Sequence, residues 1–250
     1  MSSSNPSLFD NAASQFVETQ DIHDLCSKQV ASFIKRSGWV RPEDRVMDFG
    51  CGVGSFSFML QEAIGFKACL GVDSSEKMIA SFDERVKQRN LGGVFRSACV
   101  FLDRADQLNG EKFDVIVSLK AFHHIPDPAG CVSLLKSYLN PGGRLVIADL
   151  KLDAHSPEYH RFVTEPPCCD GFTEEELAGL LRGAGLRPEV GVVNCVHYLE
   201  CYDQEKARKQ TPCRESIVNM ETSSLPSLLQ IANTVYEKDV FPFVVGCGYA

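Results

Sequence analysis

Residues 45–54 read RVMDFGCGVG, a short apolar run that leads into a loop with three glycines. The run Arg45–Phe49 predicts a buried strand, and Ser55–Ala63 predicts the helix that follows the loop. Glycines at alternate positions allow a sharp turn and a close approach of the backbone to a ligand. The amides at the start of the helix then face that ligand. This stretch therefore predicts a strand–loop–helix unit with a binding site at the loop.

The same alternation of apolar runs and helices continues on both sides of this loop. The predicted strands that follow are Ala68–Val72, Ala98–Leu102, Phe113–Ser118 and Arg144–Ala148, and the predicted helices are Thr19–Arg36, Ser75–Arg89 and Pro128–Leu139. Apolar strands that alternate with helices indicate a parallel sheet covered on both faces. Right-handed crossovers bring the carboxyl ends of the strands to one edge, where such sheets bind ligands.

The C-terminal part of the chain has a different pattern. The polar stretch Lys151–Gly171 predicts a connecting lid, and Thr173 opens a helix through a capping box. Two further strands, Val190–Tyr202 and Phe241–Tyr249, are expected to pair antiparallel at the edge of the sheet. The insertion between them, residues 203–239, includes a predicted helix near Leu225–Tyr236. We expect the lid and the insertion to shape the substrate pocket.

Composition narrows the class of protein. The 250 residues include 25 Lys and Arg against 33 Asp and Glu, and the formal net charge is −8. This acidic balance argues against a nucleic-acid partner. No run of 18 apolar residues predicts a membrane span, and the first residues lack a secretory signal. The 11 cysteines are scattered without a C-x-x-C pair, which indicates reduced thiols, a cytoplasmic protein and no metal site.

Asp73 supports the binding site predicted at the glycine loop. It ends the second predicted strand, 19 residues after Gly54. An acid in this position of an α/β fold can accept hydrogen bonds from both ribose hydroxyls of a nucleoside. The alternative is a helix cap, which the stretch Asp73-Ser74-Ser75 could also supply.

The acid that precedes the glycines separates this loop from the dinucleotide pattern G-x-G-x-x-G. Asp48–Gly54 resembles motif I of the class I S-adenosylmethionine (SAM)-dependent methyltransferases. Four later stretches resemble further motifs of that family: CLGVDSSEKMI from Cys69, FLDRADQL from Phe101, FDVIVSLKAFHHIPD from Phe113 and LNPGGRLVIADL from Leu139. The resemblance covers roughly residues 9–150 and is closest to the small-molecule, ubiquinone-biosynthesis-like branch.

The resemblance implies an α/β, Rossmann-like sheet of seven strands, mostly parallel with an antiparallel last strand, and helices on both faces. It implies SAM as cofactor and S-adenosylhomocysteine as product. The cofactor-binding residues it implies are Asp48, Gly50, Cys51, Gly52, Gly54, Asp73, Ser74, Met78, Ala105, Asp106, Leu119 and Lys120. Asp106 is expected at the adenine amino group, with Asp103 as the alternative. Phe16 falls in a segment that closes over the cofactor beside the substrate, or it packs in the core.

The reaction that the resemblance implies is direct displacement, which depends on positioning and needs a base only when the acceptor arrives protonated. His123 and His124 follow the fourth strand and are the candidate bases, because an imidazole titrates at about pH 6.5. Either could instead hold the loop by hydrogen bonds. Asp149, at the end of the fifth strand, could bind a substrate amine, orient a histidine or cap the lid.

Residues 168–172 read CCDGF where the family often has His-x-Gly-Phe, so any role of that histidine is lost. The two thiols, with His155 and His160, could in principle bind a soft metal, but small semi-buried side chains are the favoured interpretation. We predict residues 1–40 as an N-terminal helical lid and 41–250 as the catalytic domain.

The predicted function is methyl transfer from SAM to the O, N, S or C atom of a small-molecule acceptor, with no nucleic-acid or membrane partner. The sequence leaves the oligomeric state open. The alternatives are a protein or RNA methyltransferase, a non-catalytic SAM-binding protein and, least favoured, a NAD-dependent dehydrogenase.

Overall fold

The computed structural model describes residues 17–160, 167–200, 225, 227–231 and 234–250. Three predicted features fall partly or wholly outside the described residues: residues 1–16 of the N-terminal lid, which include Phe16; residues 161–166 of the connecting lid; and residues 203–224 of the insertion. The strands are β1 (Arg45–Phe49), β2 (Ala68–Asp73), β3 (Phe95–Cys99), β4 (Phe113–Leu119), β5 (Leu139–Leu150), β6 (Arg187–Glu200), β7 (Leu228–Ile231) and β8 (Thr234–Tyr249). The α-helices are α1 (Gln20–Ser37), α2 (Ser55–Ile64), α3 (Glu76–Gln88), α4 (Pro128–Ser137) and α5 (Glu174–Gly183).

The strands form one twisted sheet in the order β3-β2-β1-β4-β5-β8-β6. Strands β1 to β5 are parallel, and β8 runs antiparallel between β5 and β6. The predicted fold class is therefore confirmed. The short strand β7 adds an eighth member, which pairs antiparallel with the first residues of β8. The carboxyl ends of β1, β2, β4 and β5 meet at one edge, as the crossover rule requires.

Two predicted elements are wrong. The third strand covers Phe95–Cys99 instead of Ala98–Leu102, because the ring of Phe95 packs against Phe58, 5.2 Å between centroids, and anchors that register. The helix predicted near Leu225–Tyr236 does not form. The backbone there pairs as β7 and as the start of β8, and strand pairing overrides the helical spacing.

The described part of the predicted N-terminal lid belongs to the core. Helix α1 ends at Gly38, which adopts the left-handed conformation that favours glycine. Its inner face buries Val30, Ala31 and Ile34 completely. These side chains share one apolar cluster with Val46 of β1 and with residues of β4, β5, β6 and β8. The helix is therefore packed on the sheet together with the rest of the fold. The other face of the sheet is covered by α4 and α5.

None of the helices that the structure describes combines the length and the apolar character required to cross a lipid bilayer.

Candidate active site

The glycine loop joins β1 to α2 and requires glycine at each of its three positions. Gly50, Gly52 and Gly54 have φ angles of 70°, 52° and 86°, all in the left-handed region. A Cβ on Gly50 would lie 2.7 Å from the Cβ of Ala121, so the loop touches the segment after β4. By contrast, a Cβ on Gly52 would have only the sulfur of Met78 near it, at 4.0 Å. The loop is thus tight against the protein at Gly50 and open at Gly52.

Asp73, at the end of β2, is held against this loop. Its carboxylate accepts hydrogen bonds from the amides of Gly52 and Ser75, both at 2.9 Å. The helix cap of α3 is the hydroxyl of Ser75, which accepts from the amide of Met78. Ser75, and not Asp73, therefore caps helix α3. The half-buried carboxylate sits beside the loop, where the predicted ribose-binding acid belongs.

Asp48 is the acid before the glycines, and it is only 1% exposed. One carboxylate oxygen, Oδ2, accepts a hydrogen bond from the hydroxyl of Ser57. The other, Oδ1, is buried and has no hydrogen-bond partner among the described residues. Burial, and secondarily the negative charge of Asp73, raises the pKa of Asp48 from 3.8 to about 7 against the opposing effect of Ser57. A buried carboxylate with an unpaired oxygen is suited to receive a cation or a donor.

A buried ion pair supports the loop from behind. Arg85 of α3 donates to the carbonyl of Val53 at 2.8 Å and forms two hydrogen bonds with the carboxylate of Asp24, both at 3.1 Å. Arg85 and Asp24 are 5% and 4% exposed. The pair links α1, α3 and the glycine loop, and so fixes the position of the loop relative to both helices.

The other residues predicted to bind the cofactor differ in exposure. Met78 is buried and Ser74 is half-buried beside the loop, whereas Ala105 and Asp106 are exposed in the turn region after β3. Asp106 pairs with Arg104 at 3.3 Å. Asp103, the alternative acid, is exposed as well. The structure therefore keeps Met78 and Ser74 near the glycine loop and leaves the two candidate adenine acids, Asp103 and Asp106, in solvent.

Lys120 follows Leu119 at the end of β4 and has an unusual backbone. Its φ angle is 59°, a strained value for a residue with a side chain. Its amide donates to the carbonyl of Ala148 at 2.9 Å. The ammonium lies 3.1 Å from Nδ1 of His23 and 3.3 Å from the hydroxyl of Tyr159. Burial lowers the pKa of Lys120 against the opposing charges around it.

His123 and Asp149 form a buried pair at the same edge. Nδ1 of His123 lies 2.6 Å from Oδ1 of Asp149, and the two side chains are 2% and 0% exposed. The carboxylate also accepts from the amides of His123 and Leu150. Burial alone would raise the pKa of Asp149, but the charge and hydrogen bonds of His123 hold it below its ordinary value. The ionised Asp149 can only accept, so Nδ1 of His123 carries a proton and Nε2 faces away.

His124 and His160 lie beside this pair. Nε2 of His160 is 3.3 Å from Nε2 of His123. The rings of His123 and His124 are 4.0 Å apart between centroids. Burial, followed by the charge of His123, lowers the pKa of His124 to about 3 and that of His160 to about 4. Both imidazoles are therefore neutral at pH 7, and neither attracts a proton strongly.

Sequence reasoning missed three side chains that the fold brings to this edge. His23 enters from α1, Tyr159 from the 3-10 helix Ser156–His160, and His197 from β6. The ring of Tyr159 lies 4.8 Å from that of His197 and 5.1 Å from that of His160. The aromatic and imidazole content of the polar stretch after β5 could have signalled Tyr159, whereas no local pattern signals His23 or His197, which come from separate parts of the chain.

The glycine loop, the two acids at the ends of β1 and β2, and the sheet order together define a class of protein. Residues 20–189, more than half of the chain, match the methyltransferase domain family. The chain belongs to this family, and the resemblance to the class I SAM-dependent methyltransferases is confirmed. The cofactor of this class is SAM.

Individual relatives agree with this assignment. An uncharacterized methyltransferase of Schizosaccharomyces pombe is 32% identical over 171 residues, 63% of this chain and 56% of the relative. A ubiquinone biosynthesis O-methyltransferase of Psychrobacter arcticus is 25% identical over 163 residues, 54% of this chain and 62% of the relative. The chain thus spans about half the length of the curated relatives it matches.

The fold agrees with solved structures as well. In the complex of a Haloferax volcanii methyltransferase with the Trm112 methyltransferase activator, the matching chain is 18% identical with a TM-score of 0.63. The match covers 98% of this chain and 96% of that chain. At this identity the similarity shows the shared fold alone.

The residues present fit the cofactor of the family. SAM carries an ammonium group, a sulfonium and two ribose hydroxyls. The unpaired Oδ1 of Asp48 can accept from the ammonium, directly or through a water molecule, and the carboxylate of Asp73 can accept from ribose hydroxyls. The open face of Gly52 leaves room for the backbone to approach a ligand. The acceptors along this edge of the sheet therefore match the donor groups that an adenosyl cofactor carries.

Proposed function

We propose that this protein transfers the methyl group of SAM to the O, N, S or C atom of a small-molecule acceptor and releases S-adenosylhomocysteine. An acceptor with an ionisable hydroxyl is the favoured case, since one relative is named an O-methyltransferase. The single observation that carries the proposal is the buried His123–Asp149 pair, placed at the edge where the glycine loop lies. Contact between Gly50 and Ala121 connects the two parts of the site.

The cofactor supplies an activated methyl group when bound, and the remaining chemistry falls to the protein. The glycine loop and Asp73 hold the sugar side, and Asp48 orients the ammonium. The backbone around Leu119 and Lys120 would border the transferable methyl group. Displacement requires the acceptor atom in line with the bond that breaks, so positioning provides most of the acceleration. Three groups that converge on this edge, His23, Tyr159 and the ammonium of Lys120, can orient a polar acceptor.

His123 takes the proton of the acceptor in this proposal. Asp149 fixes the tautomer in which Nδ1 bears hydrogen, and it stabilises the imidazolium that forms when Nε2 accepts a proton. His124 is the weaker of the two predicted bases because its pKa lies at about 3. Asp149 contacts His123 with both oxygens and is completely buried. The geometry supports the orienting role among the three roles predicted for Asp149.

The first test is binding. Calorimetry should show one SAM per chain, and Asp73→Asn should weaken binding because charge-assisted hydrogen bonds are worth about 1.5–3 kcal/mol. Turnover is then measured as formation of S-adenosylhomocysteine with pooled phenols, thiols and amines. His123→Ala should lower kcat by roughly 100- to 10,000-fold. His155→Ala is the matched control, since that half-exposed imidazole pairs with Asp239 outside the site.

Each outcome separates the alternatives. Binding of SAM without turnover of any acceptor would favour a non-catalytic SAM-binding protein. Methylation of a protein or an RNA, and of none of the pooled small molecules, would show that the acceptor is a macromolecule. Failure to bind SAM, with the fold intact, would remove the proposal altogether. Equal rates for His123→Ala and His155→Ala would leave methyl transfer in place and remove His123 as the base.

A cytoplasmic location is part of the proposal. It is supported by the nine cysteines of the described residues, all of which are free thiols. Measurement of thiol oxidation in protein recovered from cells tests it, and disulfide-linked cysteines would contradict it.

A further inference from the structure

Three imidazoles, those of His123, His124 and His160, lie together at the active-site edge. The proposed proton transfer uses only His123. His123 and His124 come from the 3-10 helix Phe122–His124, and His160 ends the 3-10 helix Ser156–His160. One ring nitrogen of each lies within 4.8 Å of the others, and the described residues hold no other such group of three potential ligands. His123 is buried, and the other two are half-buried. The cluster thus joins two segments that are distant in the sequence.

The spacing within the cluster matches metal coordination. Nε2 of His123 and Nε2 of His160 are 3.3 Å apart. Two nitrogens that bind one tetrahedral Zn²⁺ at about 2.0–2.1 Å are separated by roughly 3.3–3.4 Å. His124 is half-buried and offers a third ring nitrogen within 4.8 Å of the other two. The Nε2 atoms of His123 and His160, which are within hydrogen-bond distance of each other, therefore already have the separation that a tetrahedral ion imposes.

The groups around the cluster also resemble those of a metal site. Metal-binding histidines usually donate their second ring N–H to a carboxylate or a carbonyl, which fixes the ring. Nδ1 of His123 lies 2.6 Å from Asp149, whose carboxylate is completely buried. The backbone around His123 is held too, because its carbonyl accepts from the amides of Cys168 and Cys169 at 2.8 and 3.2 Å. Asp149 supplies one negative charge that offsets part of the charge of an ion.

We propose that His123, His124 and His160 form a three-histidine site for Zn²⁺, with Asp149 as the carboxylate that orients His123. Three protein ligands leave the fourth tetrahedral position for water or another small ligand. The ion links the segment after β4 to the segment after β5. The sequence predicts no metal site, because His123 and His160 are 37 residues apart and no local spacing pattern connects them.

This inference rests on the proposed function only for its place in the site. An ion on Nε2 of His123 uses the lone pair that the proposed base needs, so the two roles exclude each other in one molecule. Metal binding is therefore measured without SAM and without an acceptor. Its failure leaves methyl transfer untouched, and loss of methyl transfer leaves the metal measurement untouched.

The experiment uses full-length protein freed of metal by a chelator and titrated with Co²⁺ as a spectroscopic probe. We expect one Co²⁺ per chain, with the intense visible absorption of tetrahedral coordination, and displacement of Co²⁺ by Zn²⁺. His160→Ala should weaken binding by more than the roughly 10- to 100-fold loss expected for Asp149→Asn. His155→Ala is the matched control and should bind Co²⁺ as the natural chain does.

Three results would overturn the proposal. One is the absence of tetrahedral Co²⁺ absorption at a stoichiometry of one. Another is equal affinity in His160→Ala and His155→Ala. The third is a thiolate-to-cobalt charge-transfer band, which would assign the ion to Cys168 or Cys169. Calorimetric SAM binding by His160→Ala shows that a loss of metal affinity does not come from misfolding.

Discussion

Replacement of Asp48 by asparagine tests the electrostatics of the cofactor site directly. The native carboxyl has a pKa of about 7, whereas in the unfolded chain it ionises near 3.8. Between these values the folded state binds more protons than the unfolded state, so the free energy of unfolding falls as the pH rises. The difference in pKa corresponds to about 4 kcal/mol at pH 8, lost progressively from about pH 4 to pH 7.

Asp48→Asn keeps the shape of the side chain and can still accept the hydrogen bond from Ser57. It removes the charge, so the variant should be more stable than the natural chain at pH 8 by up to about 4 kcal/mol and equally stable at pH 4. The assay is urea unfolding at several pH values, followed by the fluorescence of Trp39, the sole and buried tryptophan. Glu62→Gln, at an exposed acid, is the control.

The same variant should bind SAM more weakly. The ammonium of the cofactor loses an ionised acceptor, and a charge-assisted hydrogen bond of about 1.5–3 kcal/mol corresponds to roughly 10- to 150-fold in affinity. Higher stability together with lower affinity is the expected signature. Parallel stability–pH curves for Asp48→Asn and the natural chain would refute the electrostatic argument. Unchanged affinity would refute the contact with the ammonium.

Three further predictions concern other parts of the site. Arg85→Leu breaks a buried ion pair and should lower the free energy of unfolding by about 3 kcal/mol, while Arg96→Leu, at an exposed pair, should cost less than about 1 kcal/mol; similar losses in urea unfolding would contradict this. Gly50→Ala should destabilise more than Gly38→Ala. Both positions require a left-handed residue, at a cost of roughly 1–2 kcal/mol, but only the Cβ added at Gly50 would clash, at 2.7 Å from the Cβ of Ala121. Equal melting temperatures of the two variants would be evidence against that clash. Zn²⁺ should inhibit turnover reversibly, because an ion on Nε2 of His123 blocks proton transfer; activation by Zn²⁺ in the same assay would show that His123 is not the base.

The parallel core could be predicted from the sequence because its signals are local. The run Arg45–Phe49 forms β1 with the predicted bounds, and the capping box at Thr173 opens α5 as expected. The sequence patterns that indicate strands were weaker at the edges of the sheet. Strand β3 buries only Phe95 fully, so its polar pattern resembles a loop. The start of β8 forms by pairing with β6, a contact that no local pattern encodes.

The candidate site divides in the same way. Asp48, Asp73 and the three glycines lie next to strand ends, and the parallel sheet brings strand ends together by rule. His160 and Tyr159 lie in a polar segment without periodicity, so their approach to His123 and Lys120 depends on how that segment folds back over the edge. A sequence pattern indicates which residues follow a strand. It does not indicate which side chains of a long connecting segment will lie against that edge of the sheet.

Three of the buried polar side chains without a full set of partners lie at this edge, and they are a further argument for ligand binding there. Among the described residues, five buried side-chain atoms have no hydrogen-bond partner, and they belong to Asp48, Gln61, Arg144, His160 and His197. Asp48 lies beside the glycine loop, and the imidazoles of His160 and His197 both contact Tyr159. The strained backbone of Lys120 adjoins the same groups. A fold retains unpaired buried polar atoms at a cost of about 1–3 kcal/mol each. A ligand that supplies the missing partners recovers that energy on binding, so Asp48, His160 and His197 are the groups at this edge that the proposed cofactor and acceptor would satisfy.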